Sequence, residues 1–127
     1  MLNGALNLYA GWLGMLGGVL SGCVMGLWFH RPDWLGGYAS FRRRLVRLGH
    51  ISFFGIGMLN VLFGLTVAAT QLRAAPLRVA SIGLIAGAVL MPANCFLAAW
   101  RERLRHLFVL PVAAVSIGII ALLAAWT

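Results

Sequence analysis

Polar and apolar positions separate sharply along this chain of 127 residues. Every arginine, aspartate and glutamate falls into one of three windows, residues 31–47, 73–78 and 101–105. The apolar stretches outside these windows each approach the ~20 residues that a helix needs to cross ~30 Å of hydrocarbon. The pattern therefore predicts four membrane-spanning helices, at about residues 7–29, 50–70, 79–100 and 107–126.

The composition agrees with this reading. Hydrophobic residues make up 62% of the chain, whereas a soluble domain contains roughly 45–50%. Because the loops after the second and third spans are short, consecutive spans should pack as antiparallel neighbours. We therefore expect an all-α fold, with residues 1–127 forming a single transmembrane four-helix bundle.

The loop between the first and second spans carries an amphipathic pattern. Tyr38, Phe41, Leu45 and Leu48 recur at spacings of three and four residues, with arginines on the other side. This spacing predicts a short helix lying in the membrane interface, and a partner-docking surface is the alternative interpretation. The arginines expected to contact lipid headgroups are Arg42, Arg43, Arg44 and Arg47.

The arginines also predict an orientation. The first loop carries five and the third carries three, whereas the second carries two. Under the positive-inside rule, the first and third loops face the cytoplasm and both termini lie outside, most simply in a bacterial inner membrane. Since the arginines flank apolar spans, the net charge of +8 indicates anionic headgroups rather than nucleic acid as the partner.

Glycines recur every four residues along the first span. Small residues let helix backbones approach closely in lipid, where apolar contact alone gives helices little reason to associate. We expect this row to pack either within the chain or across a homo-oligomer interface. The glycines expected to mediate helix packing are Gly14, Gly18, Gly22 and Gly26 in the first span, and Gly83 and Gly87 in the third.

Two asparagines, Asn60 and Asn94, are the polar side chains expected deepest in the spans. An unpaired amide in hydrocarbon is costly, so each should find a hydrogen-bond partner. The favoured interpretation is that they join helices, and the alternative is that they line a polar pathway.

Three histidines, His30, His50 and His106, are expected near the cytoplasmic interface on three different helices. Two of them on facing helices are a candidate bis-imidazole site for haem b, with His50 and His106 as ligands and His30 as the alternate. The methionines and the cysteines Cys23 and Cys95 suggest a soft metal instead, although they lie deeper. Contact with headgroups and water alone is the simplest interpretation.

No span contains a lysine, arginine, aspartate or glutamate, and no hydrolytic motif is present. We therefore expect a protein without catalytic activity of its own, acting as an accessory or assembly subunit of a larger membrane complex, for example a respiratory one. Its expected partner is another membrane protein or a second copy. The alternatives are a haem- or metal-binding redox protein and a small channel or carrier.

Overall fold

The computed structural model describes residues 4–126, which form four long helices and no strand. Each helix is long and apolar enough to cross a membrane, if the short 3-10 turn before α4 is counted with it. The prediction of four spans is confirmed at this level. The helices are α1 Ala5–Trp28, α2 Phe41–Ala69, α3 Ala74–Trp100 and α4 Val109–Ala124, with 3-10 turns at Trp34–Gly36 and Glu102–Phe108.

The loop after α1 does not contain the separate interfacial helix expected from the sequence. Phe41 to Leu48 instead form the first two turns of α2, which continues without a break for 29 residues. No proline interrupts this stretch, and the Ser40 hydroxyl caps its start by accepting the Arg43 N–H at 3.1 Å. The amphipathic pattern therefore marks the polar end of a long membrane helix.

α1 and α2 pack through close contacts between their backbones. A Cβ at Gly11 would lie 2.5 Å from the Gly57 carbonyl oxygen, and one at Gly4 would lie 2.7 Å from that of Gly64. Gly22 lies against the ring of His50. Residue numbers rise on α1 as they fall on α2, so these two helices run in opposite directions.

The glycine row of α1 only partly follows this interface. Gly14 and Gly18 face Phe53 and Phe54 of α2, but a Cβ at Gly26 would meet no atom of the described chain within 4 Å. A step of four residues advances about 40° beyond a full turn, so three steps rotate the last glycine by about 120°. Gly11, Gly18 and Met25, which are seven residues apart, are buried instead.

α3 lies at the centre of the packing. It contacts α2 and α4 along their lengths and touches α1, whereas the extensive helix contacts of α4 within residues 4–126 are with α3 alone. Gly83 and Gly87 lie in the α3–α4 interface, where they face Ala114 and Val115. α4 thus packs on the outer side of a core formed by α1, α2 and α3.

Candidate functional site

A buried polar network joins the first three helices near the end of the molecule that carries Gly4. The Asn7 amide donates to Asn60 Oδ1 at 2.8 Å and to the Ser81 carbonyl at 3.4 Å, and the Ser81 hydroxyl donates to Asn7 Oδ1 at 2.5 Å. The Asn60 amide donates to the carbonyls of Ile56 and Leu84, both at 3.0 Å. All four amide hydrogens and the hydroxyl hydrogen are therefore used.

The two asparagines singled out from the sequence are not brought together. Asn60 is completely buried in the network. In the amide orientation that satisfies both of its groups, Asn94 donates to the Leu104 carbonyl at 3.2 Å and accepts from the Phe108 N–H at 3.0 Å. Asn94 thus fastens the turn before α4 to α3. Sequence reasoning missed Asn7 and Ser81, although Asn7 lies one turn before Gly11 on the packed face of α1.

Arg43 is surrounded by carbonyls and aromatic rings at the end of the molecule opposite to Gly4. It is 2% exposed, and its guanidinium donates to the Phe29 carbonyl at 2.9 Å and the Arg31 carbonyl at 3.3 Å. Its Cζ lies 4.8–5.4 Å from the ring centroids of Phe29, Trp34 and Tyr38, within cation–π range. Carbonyls just beyond the C-terminus of α1 carry partial negative charge, which favours a cation there.

The four arginines assigned to lipid headgroups therefore have different surroundings. Arg43 is buried, and its guanidinium is bonded to two carbonyls of the loop after α1. Arg42 is exposed but donates from Nε to the Ala99 carbonyl near the end of α3, at 3.1 Å. Arg44 is exposed, and Arg47 is partly buried with its Cζ 5.2 Å from the Tyr38 ring centroid.

His50 faces α1, where it is hydrogen-bonded to Ser21. The Ser21 hydroxyl oxygen lies 3.0 Å from the Gly18 carbonyl oxygen and 3.0 Å from His50 Nδ1. The hydroxyl can donate its one hydrogen to either, and it accepts from the ring when the hydrogen of the imidazole is on Nδ1. The ring also packs edge-on against Phe54, with centroids 5.5 Å apart.

The other two histidines are exposed and lie elsewhere. His30 is in the turn after α1, and His106 is in the 3-10 turn that packs against α3 and α4. Cys23 is exposed and Cys95 is buried, both as free thiols. Among the residues that the structure describes, no three histidine, cysteine, aspartate or glutamate side chains come together as a metal site would require.

Two concave regions lie beside α1. A cavity of about 300 Å³ is lined by the end of α1 and by Arg47, His50 and Ile51 of α2. A larger apolar groove of about 440 Å³ lies between α1 and α3, with Phe53 and Phe96 among its lining residues. These two regions are where a ligand or a partner could reach the helix packing.

No protein-family model, curated protein or solved structure matched this chain when it was compared with them.

Proposed function

We propose that this chain is an accessory or assembly subunit of a larger membrane complex, and that it holds a transmembrane helix of a partner protein in the groove between α1 and α3. The observation that carries the proposal is the groove itself. It has a volume of about 440 Å³ and is lined by three helices that are each apolar enough to span a membrane.

The shape of the groove suits a helix. Its sides include the small residues Ala10 and Gly14 of α1 and Ala88 and Ala93 of α3. Short side chains allow a second backbone to come close, which is what drives helix association in lipid. The rings of Phe53 and Phe96, with centroids 6.2 Å apart, add a flat aromatic surface.

The chemistry of the groove favours a helix over a lipid tail. Pro92 lines the groove and has no N–H to donate to the Ala88 carbonyl one turn earlier. An acyl chain has no hydrogen-bond donor for this carbonyl, whereas a helix can donate from Cα–H groups and from serine or threonine hydroxyls. The proposed occupant is therefore a partner helix with small or hydroxyl-bearing residues on one face.

The other two functions suggested by the sequence find less support. A channel lined by Asn60 would need free amide groups, but all hydrogens of that amide are bonded within the helix core. A haem held by His50 and His106 would need both rings to face one space, but His50 faces α1 and His106 lies in a turn packed on α3.

We also propose that the arginine-rich ends of α1, α2 and α3 face the cytoplasm. The support is the charge count, since eight of the ten arginines lie in the first and third loops. Arg42 and Arg43 cap the ends of α3 and α1 from the first turn of α2, so these charges belong to one face of the molecule.

The experiment blocks the groove without changing the helix core. Val89 lines the groove and is 63% exposed, so Val89→Trp should fill it with little disturbance of the fold. Tagged wild-type protein, extracted from its native membranes in mild detergent, should migrate in native electrophoresis above the mass of one copy. The variant should migrate as a single copy.

The matched control is Ile120→Trp, because Ile120 is 65% exposed on α4, which lies on the far side of α3. This variant should keep the larger complex. Wild-type protein that migrates as a single copy, or a complex that both variants lose equally, would contradict the proposed function.

A further inference from the structure

The cavity at the arginine-rich end of α1 has one polar side and one apolar side. Its volume is about 300 Å³, and it lies between Gly22 to Phe29 on one helix edge and Arg47 to Ile51 on the other. Met25, Phe29 and Ile51 are its large apolar residues, while Arg47 and His50 are its polar residues.

Arg47 brings a cation with unused donors to this cavity. The Arg43 guanidinium donates from two of its nitrogens to backbone carbonyls, whereas the Arg47 guanidinium has no hydrogen-bond acceptor among residues 4–126. Its one close partner is the Tyr38 ring, 5.2 Å from Cζ. A guanidinium presents five N–H donors in a planar fork that matches the oxygens of a phosphate or carboxylate. A partly buried guanidinium without an acceptor indicates an anionic ligand.

His50 adds a second polar group on the same side. Its Nδ1 is hydrogen-bonded to Ser21 Oγ, and Nε2 has no hydrogen-bond partner in the described part of the chain. A Cβ at Gly22 would lie 3.4 Å from Nε2, so this nitrogen is at the α1 edge of the cavity. When Ser21 donates to Nδ1, the neutral ring carries its hydrogen on Nε2, and this N–H can donate to an anionic phosphate oxygen.

The apolar side is open because of one glycine. Gly26 lines the cavity and has no atom of another helix within 4 Å of where its Cβ would be. Met25 and Ile51 line the same cavity, so a ligand that fills it carries an apolar portion next to its charge.

We propose that this cavity binds the phosphate group of an anionic membrane lipid, with Arg47 and His50 on the phosphate and the glycerol and first acyl carbons beside Gly26. A free phosphate shares the anion chemistry, but it would leave the apolar side empty. The proposal concerns one defined lipid site, and it does not depend on the partner helix in the groove.

The test measures lipid bound to the purified full chain by native mass spectrometry, from micelles of an uncharged detergent. Phosphatidylglycerol, phosphatidylcholine and inorganic phosphate are added separately. We expect one phosphatidylglycerol per chain at low lipid concentration, and weaker retention of phosphatidylcholine. Arg47→Gln should weaken phosphatidylglycerol binding about tenfold or more, as expected for losing charge-assisted hydrogen bonds.

Two matched controls separate a defined site from general attraction. Arg44→Gln removes the same charge from an exposed position nearby and should leave binding unchanged. Gly26→Leu fills the apolar side and should abolish binding, whereas Gly55→Leu, at a glycine of α2 with equally open surroundings, should not. Circular dichroism confirms that each variant keeps its helices.

Three results would overturn the proposal. The first is equal loss of lipid in Arg44→Gln and Arg47→Gln, which would mean diffuse headgroup attraction. The second is unchanged lipid binding in Gly26→Leu. The third is Arg47-dependent binding of inorganic phosphate that displaces the lipid, which would make the free anion the ligand.

Discussion

At the scale of single residues, the helix core is held by amides that have no unused hydrogen. Asn7, Asn60 and Ser81 come from three helices and bond one another and backbone carbonyls. An unmade hydrogen bond in hydrocarbon is costly because no water is there to replace it. This network therefore fixes which residues of α1, α2 and α3 lie at the same depth.

Asn60→Leu tests this network. The change removes the bond to the Leu84 carbonyl, which keeps its bond within α3, and it leaves one Asn7 amide hydrogen buried without a partner. We expect the free energy of unfolding to fall by about 1–2 kcal/mol, in the upper range for hydrogen bonds between membrane helices. The measurement is helix content against dodecyl sulfate concentration in mixed micelles.

Thr66→Val is the control on the same helix, because the Thr66 hydroxyl donates only to the Leu62 carbonyl one turn earlier and makes no bond to another helix. It should change the unfolding free energy by less than about 0.5 kcal/mol. If both variants unfolded like the wild type, the amide network would contribute nothing measurable.

The surroundings of individual arginines could not be predicted from the sequence. Arg42, Arg43, Arg44 and Arg47 lie within six positions and look equivalent in the printed chain. Only the path of the loop after α1 separates them. Leu35, Gly36 and Gly37 adopt positive φ values, and the resulting turn places Trp34 and Tyr38 around Arg43. Hydropathy and charge contain no information about that turn.

At the scale of elements, each long helix could be located from hydropathy, but its packed face could not. Charges are excluded from hydrocarbon, so the spans can be recognised in the sequence as long uncharged stretches. The packed face of α1 depends instead on contact with α2, which follows a seven-residue spacing through Gly11, Gly18 and Met25. The glycines that recur every four residues do not follow this spacing, and the last of them, Gly26, no longer faces α2.

Gly11→Ala and Gly26→Ala make the same change on the two sides of α1. Alanine gains up to about 1 kcal/mol over glycine in a helix, and both variants share that gain. At Gly11 the added methyl would lie 2.5 Å from the Gly57 carbonyl oxygen, a backbone atom that cannot move aside. Overpacking of this kind costs about 1–3 kcal/mol.

We therefore expect Gly11→Ala to unfold at lower dodecyl sulfate concentration than the wild type, and Gly26→Ala to unfold at the same or a higher one. Equal stability of the two variants would show that the close α1–α2 contact at Gly11 does not govern packing.

At the scale of the whole molecule, α4 packs on the outer side of α3, and α1 contacts α3 at Asn7 and Ser81. The groove for which we propose a partner helix lies between the same two helices, from Ala10 on α1 to Phe96 on α3. Span lengths could not predict it, because four helices of these lengths also fit a closed bundle. Small residues from two helices form one surface only in the folded structure, where they line the groove together: Ala10, Gly14, Ala88 and Ala93.

The most direct measurement of this proposal places a photo-cross-linking amino acid at position 93, which is exposed and lines the groove, and at position 113, which is exposed on α4. After illumination of native membranes, position 93 should give one discrete protein adduct that Val89→Trp abolishes. Mass spectrometry should identify the linked peptide as a membrane-spanning segment of another protein, and position 113 should not give this adduct. Adducts with lipid alone, or with a second copy of this chain, would contradict the proposed partner helix.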